Sequence, residues 1–368
     1  MRLAVIFHRN PDSPLSRIDI IRLRALTTGF YEKGIETDII APLEKETLLF
    51  GGTVRAKPLG ALEGGRYDIV KTCYHPSIRY ALAIDVPVVA RIVRVVDEKL
   101  PERDEGGRAE LLECQELIAE KAAHLVLNNR ENELRWRERY GEMLPVTLIP
   151  TGCPPELPPP GKSPYPPDEK VILFAGSICA PRMAELLNEA ADLLPGGTAI
   201  HFVGENKSAM YGGGMAIPLS HKITCHGEVP EERLWDYLAF AHGGLALAAG
   251  PWPFDNDISK IISYLRGGLP VISEERIVNN RLVLSACYGF VFRYGSAGDL
   301  VEKALSLIKE PPRERRNEVM RMMAAEHGWD RRVEAYCALF ERLLSERRRP
   351  DQSCLLLHII STRASRLV

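Results

Sequence analysis

Residues 255–273 read DNDISKIISYLRGGLPVIS. The stretch condenses an acidic loop, a short helix, a glycine pair and a buried strand. Asp257 is suited to cap the helix, because its carboxylate can accept N–H groups left orphaned in the first turn. Ile261, Ile262 and Leu265 recur at helical spacing and give the helix one apolar side. Gly267-Gly268 ends it, since glycine takes the left-handed conformation without steric cost. Residues 269–272 then read as a strand returning to a sheet. A helix start at the edge of a parallel sheet suits an anion such as a diphosphate.

The chain around this stretch is long enough for two domains, at 368 residues. Apolar residues make up 45% and charged residues 26%, as in soluble globular proteins. A net charge of −2 argues against a general nucleic-acid binder, which needs a cationic surface. Residues 1–8 run into an apolar strand without a secretory pattern, and no apolar run is long enough to cross a bilayer. The expected location is therefore the cytoplasm. Eight cysteines include no CxxC pair, so they read as reduced thiols rather than as a metal or disulfide framework.

Outward from 255–273, strands alternate with helices in both directions. Strands are predicted at 2–7, 37–41, 68–71, 87–96, 124–127 and 146–149, with helices at 17–33, 110–123 and 131–140. Residues 150–167 then hold nine prolines in eighteen positions, a semi-rigid connector. The pattern restarts with strands at 171–175, 199–203, 223–225, 244–248 and 290–292, and helices at 183–194, 231–240 and 299–308. A last helix over 329–347 carries an apolar stripe at Val333, Tyr336, Cys337, Phe340 and Leu344. Such alternation predicts an α/β protein with doubly wound parallel sheets. The expected organisation is a first domain over 1–150, a linker over 151–169, a second domain over 170–328 and a closing helix over 329–347. The tail, 348–368, is expected to be disordered, with a peripheral membrane contact as the alternative.

Four segments, in this order, resemble those of GT-B glycosyltransferases, in particular the family-4-like group. They are LIPTG at 148–152, FAGSICAPRM at 174–183, HGEVPEERLWDY at 226–237 and KIISYLRGGLPVIS at 260–273. The resemblance implies two Rossmann-like domains facing across a cleft, with a nucleotide-sugar donor on the second and an acceptor hydroxyl, of a saccharide or a lipid-linked glycan, on the first. Glycosyl transfer needs its leaving nucleoside diphosphate stabilised by cations, in a site that excludes water. Relatives carry two glutamates eight positions apart, which fall here on Asp255 and Ser263. Their phosphate-binding Arg–Lys pair falls on Ser177 and Arg182. Lys260 would face the diphosphate, and Glu228 and Val229 would lie near the nucleobase. Asp255-Asn256-Asp257 spells DxD, but GT-B enzymes generally act without a metal, so neither metal nor cofactor is expected.

Other candidates come from the residues themselves. Gly176, Gly204 and Gly227 end strands, where a missing side chain lets backbone approach a ligand or merely makes a turn. His8, Arg9, His75 and Asp97 follow strands on the expected cleft side. His75 is a candidate acid or base and Asp97 a candidate base of an inverting transfer, each with a structural role as the alternative. Two further readings stay open: a degenerate GT-B domain that binds a nucleotide sugar or a partner without turnover, and a nucleotide-sugar epimerase. The sugar, nucleobase, acceptor, stereochemical outcome and oligomeric state are not encoded in recognisable residues.

Overall fold

The computed structural model of the chain describes residues 1–12, 18–98, 105–209 and 215–348. The tail expected to be disordered lies, beyond Arg348, outside the described residues. The first half runs β1 (Arg2–Ile6), α1 (Ile18–Glu32), β2 (Glu36–Ala41), β3 (Thr47–Leu49), β4 (Val54–Pro58), β5 (Ile69–Thr72), α2 (Ser77–Ala81), β6 (Val88–Arg91), α3 (Glu105–Lys121), β7 (His124–Leu127), α4 (Arg130–Tyr140) and β8 (Val146–Leu148). The second runs β9 (Lys170–Ala175), α5 (Pro181–Leu193), β10 (Thr198–Val203), β11 (Ile223–Gly227), α6 (Glu231–Phe240), β12 (Gly243–Ala246), α7 (Lys260–Arg266), β13 (Val271–Glu274), α8 (Asn280–Ser285), β14 (Gly289–Phe292), α9 (Ala297–Lys309), α10 (Arg316–His327) and α11 (Trp329–Arg348).

Two sheets result, with strand orders β3-β4-β2-β1-β5-β6-β7-β8 and β11-β10-β9-β12-β13-β14. All pairings are parallel except β3 with β4. Both orders reverse once, between β1 and β5 and between β9 and β12. At such a point the loops leaving the carboxyl ends diverge and open a crevice. In the second sheet a side chain completes the divergence. Tyr264 of α7 accepts from the Ala175 N–H at 2.8 Å and donates to the Leu245 carbonyl at 3.2 Å, filling the ladder where β9 and β12 separate. Gly244 makes room for it: a Cβ there would lie 2.5 Å from the Tyr264 ring.

Each sheet is covered on both faces. The apolar stripe of α11 does not serve its own half. Val333, Tyr336 and Phe340 cross back and pack with Phe30 of α1 under the first sheet. Residues 149–169 are anchored along their length: Arg266 donates to the Pro154 and Pro155 carbonyls at 2.8 and 2.7 Å, and Tyr165 donates to the Tyr237 carbonyl at 2.8 Å.

Local differences from the expectations have local causes. The apolar run over 87–96 pairs only over Val88–Arg91. Beyond it the chain turns away, surfaces at Val93 and is buried again at Val95 and Val96, whose N–H groups are accepted by the Asn132 and Gln115 side chains, each at 2.7 Å. Asp257 does not cap α7, which starts at Lys260 after Ser259 and has no side-chain cap. Of the glycine pair only Gly268 is left-handed, at φ +68; Gly267 stays helical. The strands β3 and β4 and the helices α2, α8 and α10 were not expected.

Candidate functional site

The two switch points face each other across a cleft of about 560 Å³. That is within the range of small-molecule sites. From the first half come the loops after β1 (His8, Arg9) and β5 (Cys73, Tyr74) and the face of α1 bearing Asp19 and Arg22. From the second half come the loop after β9 (Gly176, Ser177), Gly204 after β10, Glu228 and Val229 after β11, and Asp257, Lys260 and Ser263 around α7. Four polar contacts tie the halves together beside it. Arg94 pairs with Asp255 at 2.7 Å, Arg24 with Glu231 at 2.5 Å, Asn129 donates to Asp257 at 3.1 Å, and Asn132 donates to the Phe254 carbonyl at 2.9 Å.

Lys260 is a cation that the second half brings to the cleft without a carboxylate partner among the described residues. Its ammonium lies 3.6 Å from the centre of the Phe174 ring, and Gly176 passes close beside it. Burial lowers its pKa to about 7, partly offset by Cys179. The other lysine on this side, Lys207, pairs with Glu205 at 2.6 Å.

Gly176 and Gly204 hold the loop next to Lys260. Gly176 has φ +115 and Gly204 φ +145. A Cβ on Gly204 would lie 2.4 Å from the Gly176 carbonyl oxygen, so glycine there serves the approach of two loops. Gly204→Ala is expected to destabilise the protein by roughly 1–3 kcal/mol through backbone strain and to displace the Gly176 loop. Urea unfolding and nucleotide titration would check this. An alanine variant of unchanged stability would contradict the geometry. Gly227 has φ +70 and lies in an adjoining groove with Glu228, outside the cleft lining.

Four expected site residues are engaged elsewhere. Arg182 does not line the cleft; it forms a two-pronged pair with Glu274, stacks over Tyr294 at 4.2 Å and donates to the Ala248 carbonyl. Asp255 is held by Arg94 of the other half. His75 is fully buried, 3.4 Å from the Gln115 side-chain oxygen, and burial pulls its pKa down to about 3. Asp97 is fully buried and paired with Arg135. Neither side chain lines the cleft.

His8 and Arg9 do reach the cleft. Arg9 donates from Nε to His8 Nε2 at 2.9 Å and pairs with Asp19. Burial and the Arg9 charge lower the His8 pKa to about 4, against a raising effect from Asp19. The ring is therefore neutral at pH 7. With Nε2 accepting, its proton sits on Nδ1.

Sequence reading missed Arg22. It donates to Thr151 at 2.8 Å, and burial, followed by the charge of Arg91, lowers its pKa to about 9. The signal was its place one turn after Asp19, among the apolar residues of a helix that follows a switch-point loop.

No protein-family model matches this sequence, and no curated protein matches it. The fold does have close likenesses among solved structures. Sucrose-phosphate synthase from Thermosynechococcus elongatus superposes with a TM-score of 0.76 at 16% identity, over 94% of this chain and 99% of that one. HepE of Anabaena in complex with UDP-glucose gives 0.72 at 10% identity, over 93% and 100%. WaaG, a glycosyltransferase involved in lipopolysaccharide biosynthesis, gives 0.65 at 13% identity, over 92% and 99%. The chain has the two-domain, Rossmann-like GT-B fold.

Proposed function

We propose that the chain is a glycosyltransferase that moves a sugar from a nucleoside diphosphate to an acceptor hydroxyl across this cleft. The observation that carries the reading is Lys260: a cation without a carboxylate partner, partly desolvated, at the switch point of the second sheet. Burial depresses its pKa, and an anion at hand would offset that loss. A diphosphate supplies one, and the growing negative charge on the leaving group gains most from a cation already in place. Gly176 leaves the ammonium open, and Ser263, Asp257 and Ser259 offer neighbouring acceptors and hydroxyls for ribose or sugar. HepE, which shares the fold, binds UDP-glucose, so uridine nucleotides are the first donors to try.

On the acceptor side, His8 and Arg9 stand opposite. The neutral His8 tautomer leaves no imidazole lone pair free, so it orients groups rather than taking a proton. The acceptor is proposed to be a saccharide or lipid-linked glycan, bound without a metal. Among the described residues, no helix is long and apolar enough to cross a membrane. A peripheral role would thus rest on the surface or on the tail.

A second reading draws on Arg182. With that cation captured by Glu274 and a serine at position 177, the donor side has one open cation instead of two. A domain that binds nucleotide sugars without turnover fits this charge deficit. The test is to incubate the protein with a panel of nucleotide sugars and saccharide acceptors, measuring binding and nucleotide release together. Transfer establishes the enzyme. Binding without turnover establishes the second reading, an altered sugar still on its nucleotide indicates an epimerase, and absence of binding overturns all three.

A further inference from the structure

Beneath α1, away from Lys260, the first half encloses a second cavity of about 20 Å³. A space of that size holds about one water-sized species. Its walls are largely apolar, from Val5, Phe7, Leu23, Leu26 and Phe30, yet three cations line it: Arg22, Lys71 and Arg91. Lys71 and Arg91 are 1% and 2% exposed.

Among the described residues none of the three has a carboxylate as a hydrogen-bond partner, although the Asp257 charge acts on Arg22. Lys71 reaches the Thr72 carbonyl at 3.3 Å and Cys73 Sγ at 3.7 Å, and lies 5.0 Å from the Tyr336 ring centre. Arg91 donates to Asn128 at 2.8 Å, and Arg22 to Thr151 at 2.8 Å. The carboxylate in the cavity wall, Asp19, is already paired with Arg9. Burying Lys71 and Arg91 without a carboxylate in contact is unfavourable, and gathering them with Arg22 around one void adds to the cost. Uncharged residues of the same size would fill this apolar layer better, so the arrangement makes physical sense with an anion present.

We propose that this cavity is an anion site, in which Lys71, Arg91 and Arg22 hold one compact anionic group. Asp19, Arg22 and Cys73 line both this cavity and the main cleft. The group can therefore arrive as a free inorganic ion or as an anionic substituent of a molecule bound in the cleft. In the second case it is part of the acceptor, an assignment that rests on the proposed transfer reaction. The anion site itself does not.

The test is calorimetric titration of the full chain in gluconate buffer at fixed ionic strength. The probes are sodium bromide, inorganic phosphate, glucose 6-phosphate and glucose. All are repeated on Lys260→Met, which removes the donor-side cation and so separates this site from the diphosphate site. At least one anion is expected to bind with one-to-one stoichiometry in both backgrounds, and glucose is not. Lys71→Met and Arg91→Met are each expected to weaken that binding at least tenfold while raising or keeping the melting temperature. Equal affinity for phosphate and glucose 6-phosphate identifies a free ion. Tighter binding of glucose 6-phosphate identifies a substituent. If no anion binds, or both variants bind as the unaltered protein does, the site is refuted. A bromide-soaked crystal with no anomalous peak among the three cations refutes it independently of any variant.

Discussion

Lys260→Met is expected to weaken UDP binding by at least tenfold and to raise the melting temperature at the same time. The two effects share one cause. A charge-assisted hydrogen bond to phosphate contributes about 1.5–3 kcal/mol, which is roughly ten- to a hundredfold in affinity. Methionine keeps the unbranched apolar stem and loses the ammonium that lies over Phe174. In the unliganded protein that charge is a burden, since its pKa is lowered to about 7 by burial. The folded value lies below the unfolded value, so between them the unfolded chain binds the proton more tightly. Stability therefore rises with pH through that window, and the cost is fully present below about pH 7. The stabilisation by methionine should accordingly be largest below pH 7 and fade as pH rises toward the ordinary lysine range. Affinity behaves in the opposite sense. Above about pH 7 the free amine is neutral and UDP must bind together with a proton. Affinity then falls by up to about tenfold per pH unit until the bound-state pKa is passed. The slope should vanish in Lys260→Met. Calorimetry in buffers of different ionisation enthalpy reads the proton uptake directly, and thermal unfolding reads the stability. A variant that loses both affinity and stability would mean that Lys260 is a structural residue.

Much of the architecture was legible because it depends on short-range patterns. Apolar runs of strand length, helices ended by glycine and nine prolines between two repeats of the same alternation specify two doubly wound sheets. Lys260, Gly176 and Gly204 reach the cleft for the same reason: each stands at or next to the end of an element, and the topology carries those ends to one crevice, with Ser263 one turn into α7. What failed depended on partners far along the chain. Nothing around Arg182 shows that Glu274, 92 residues later, will capture it. Nothing around Asp255 shows Arg94, 161 residues earlier. His75 and Asp97 follow strands as expected, but the chain after β6 folds inward on Asn132 and Gln115, which seals both from the cleft. Arg22 went unnoticed because an arginine in a helix usually faces solvent. Only the packing of α1 against the sheet and α11 turns it inward.

Glu274→Ala is expected to cost about 3–5 kcal/mol of stability, the range for removing one member of a buried, hydrogen-bonded ion pair. Glu274 is fully buried at the end of β13, yet its two oxygens are amply bonded. They accept the Ala248 N–H beyond β12 at 2.8 Å, the Gly295 N–H beyond β14 at 2.8 Å, and Arg182 at the start of α5. One carboxylate thus joins three loops on the carboxyl side of the second sheet. Removing it leaves two backbone N–H groups and a guanidinium without their acceptor. Arg182→Met should be destabilising for the complementary reason, since it strands the carboxylate. Its effect on UDP affinity should stay within about threefold, because Arg182 does not line the cleft and a group that makes no bond to ligand contributes none of the charge-assisted term. The double variant Arg182→Met/Glu274→Ala should lose less stability than the two single losses added together, as coupled partners do. Urea unfolding of the four proteins, with UDP titrations alongside, distinguishes the roles. If Arg182→Met kept its stability and lost UDP tenfold, the arginine would belong to the diphosphate after all, and the pair with Glu274 would be a resting arrangement released by the donor.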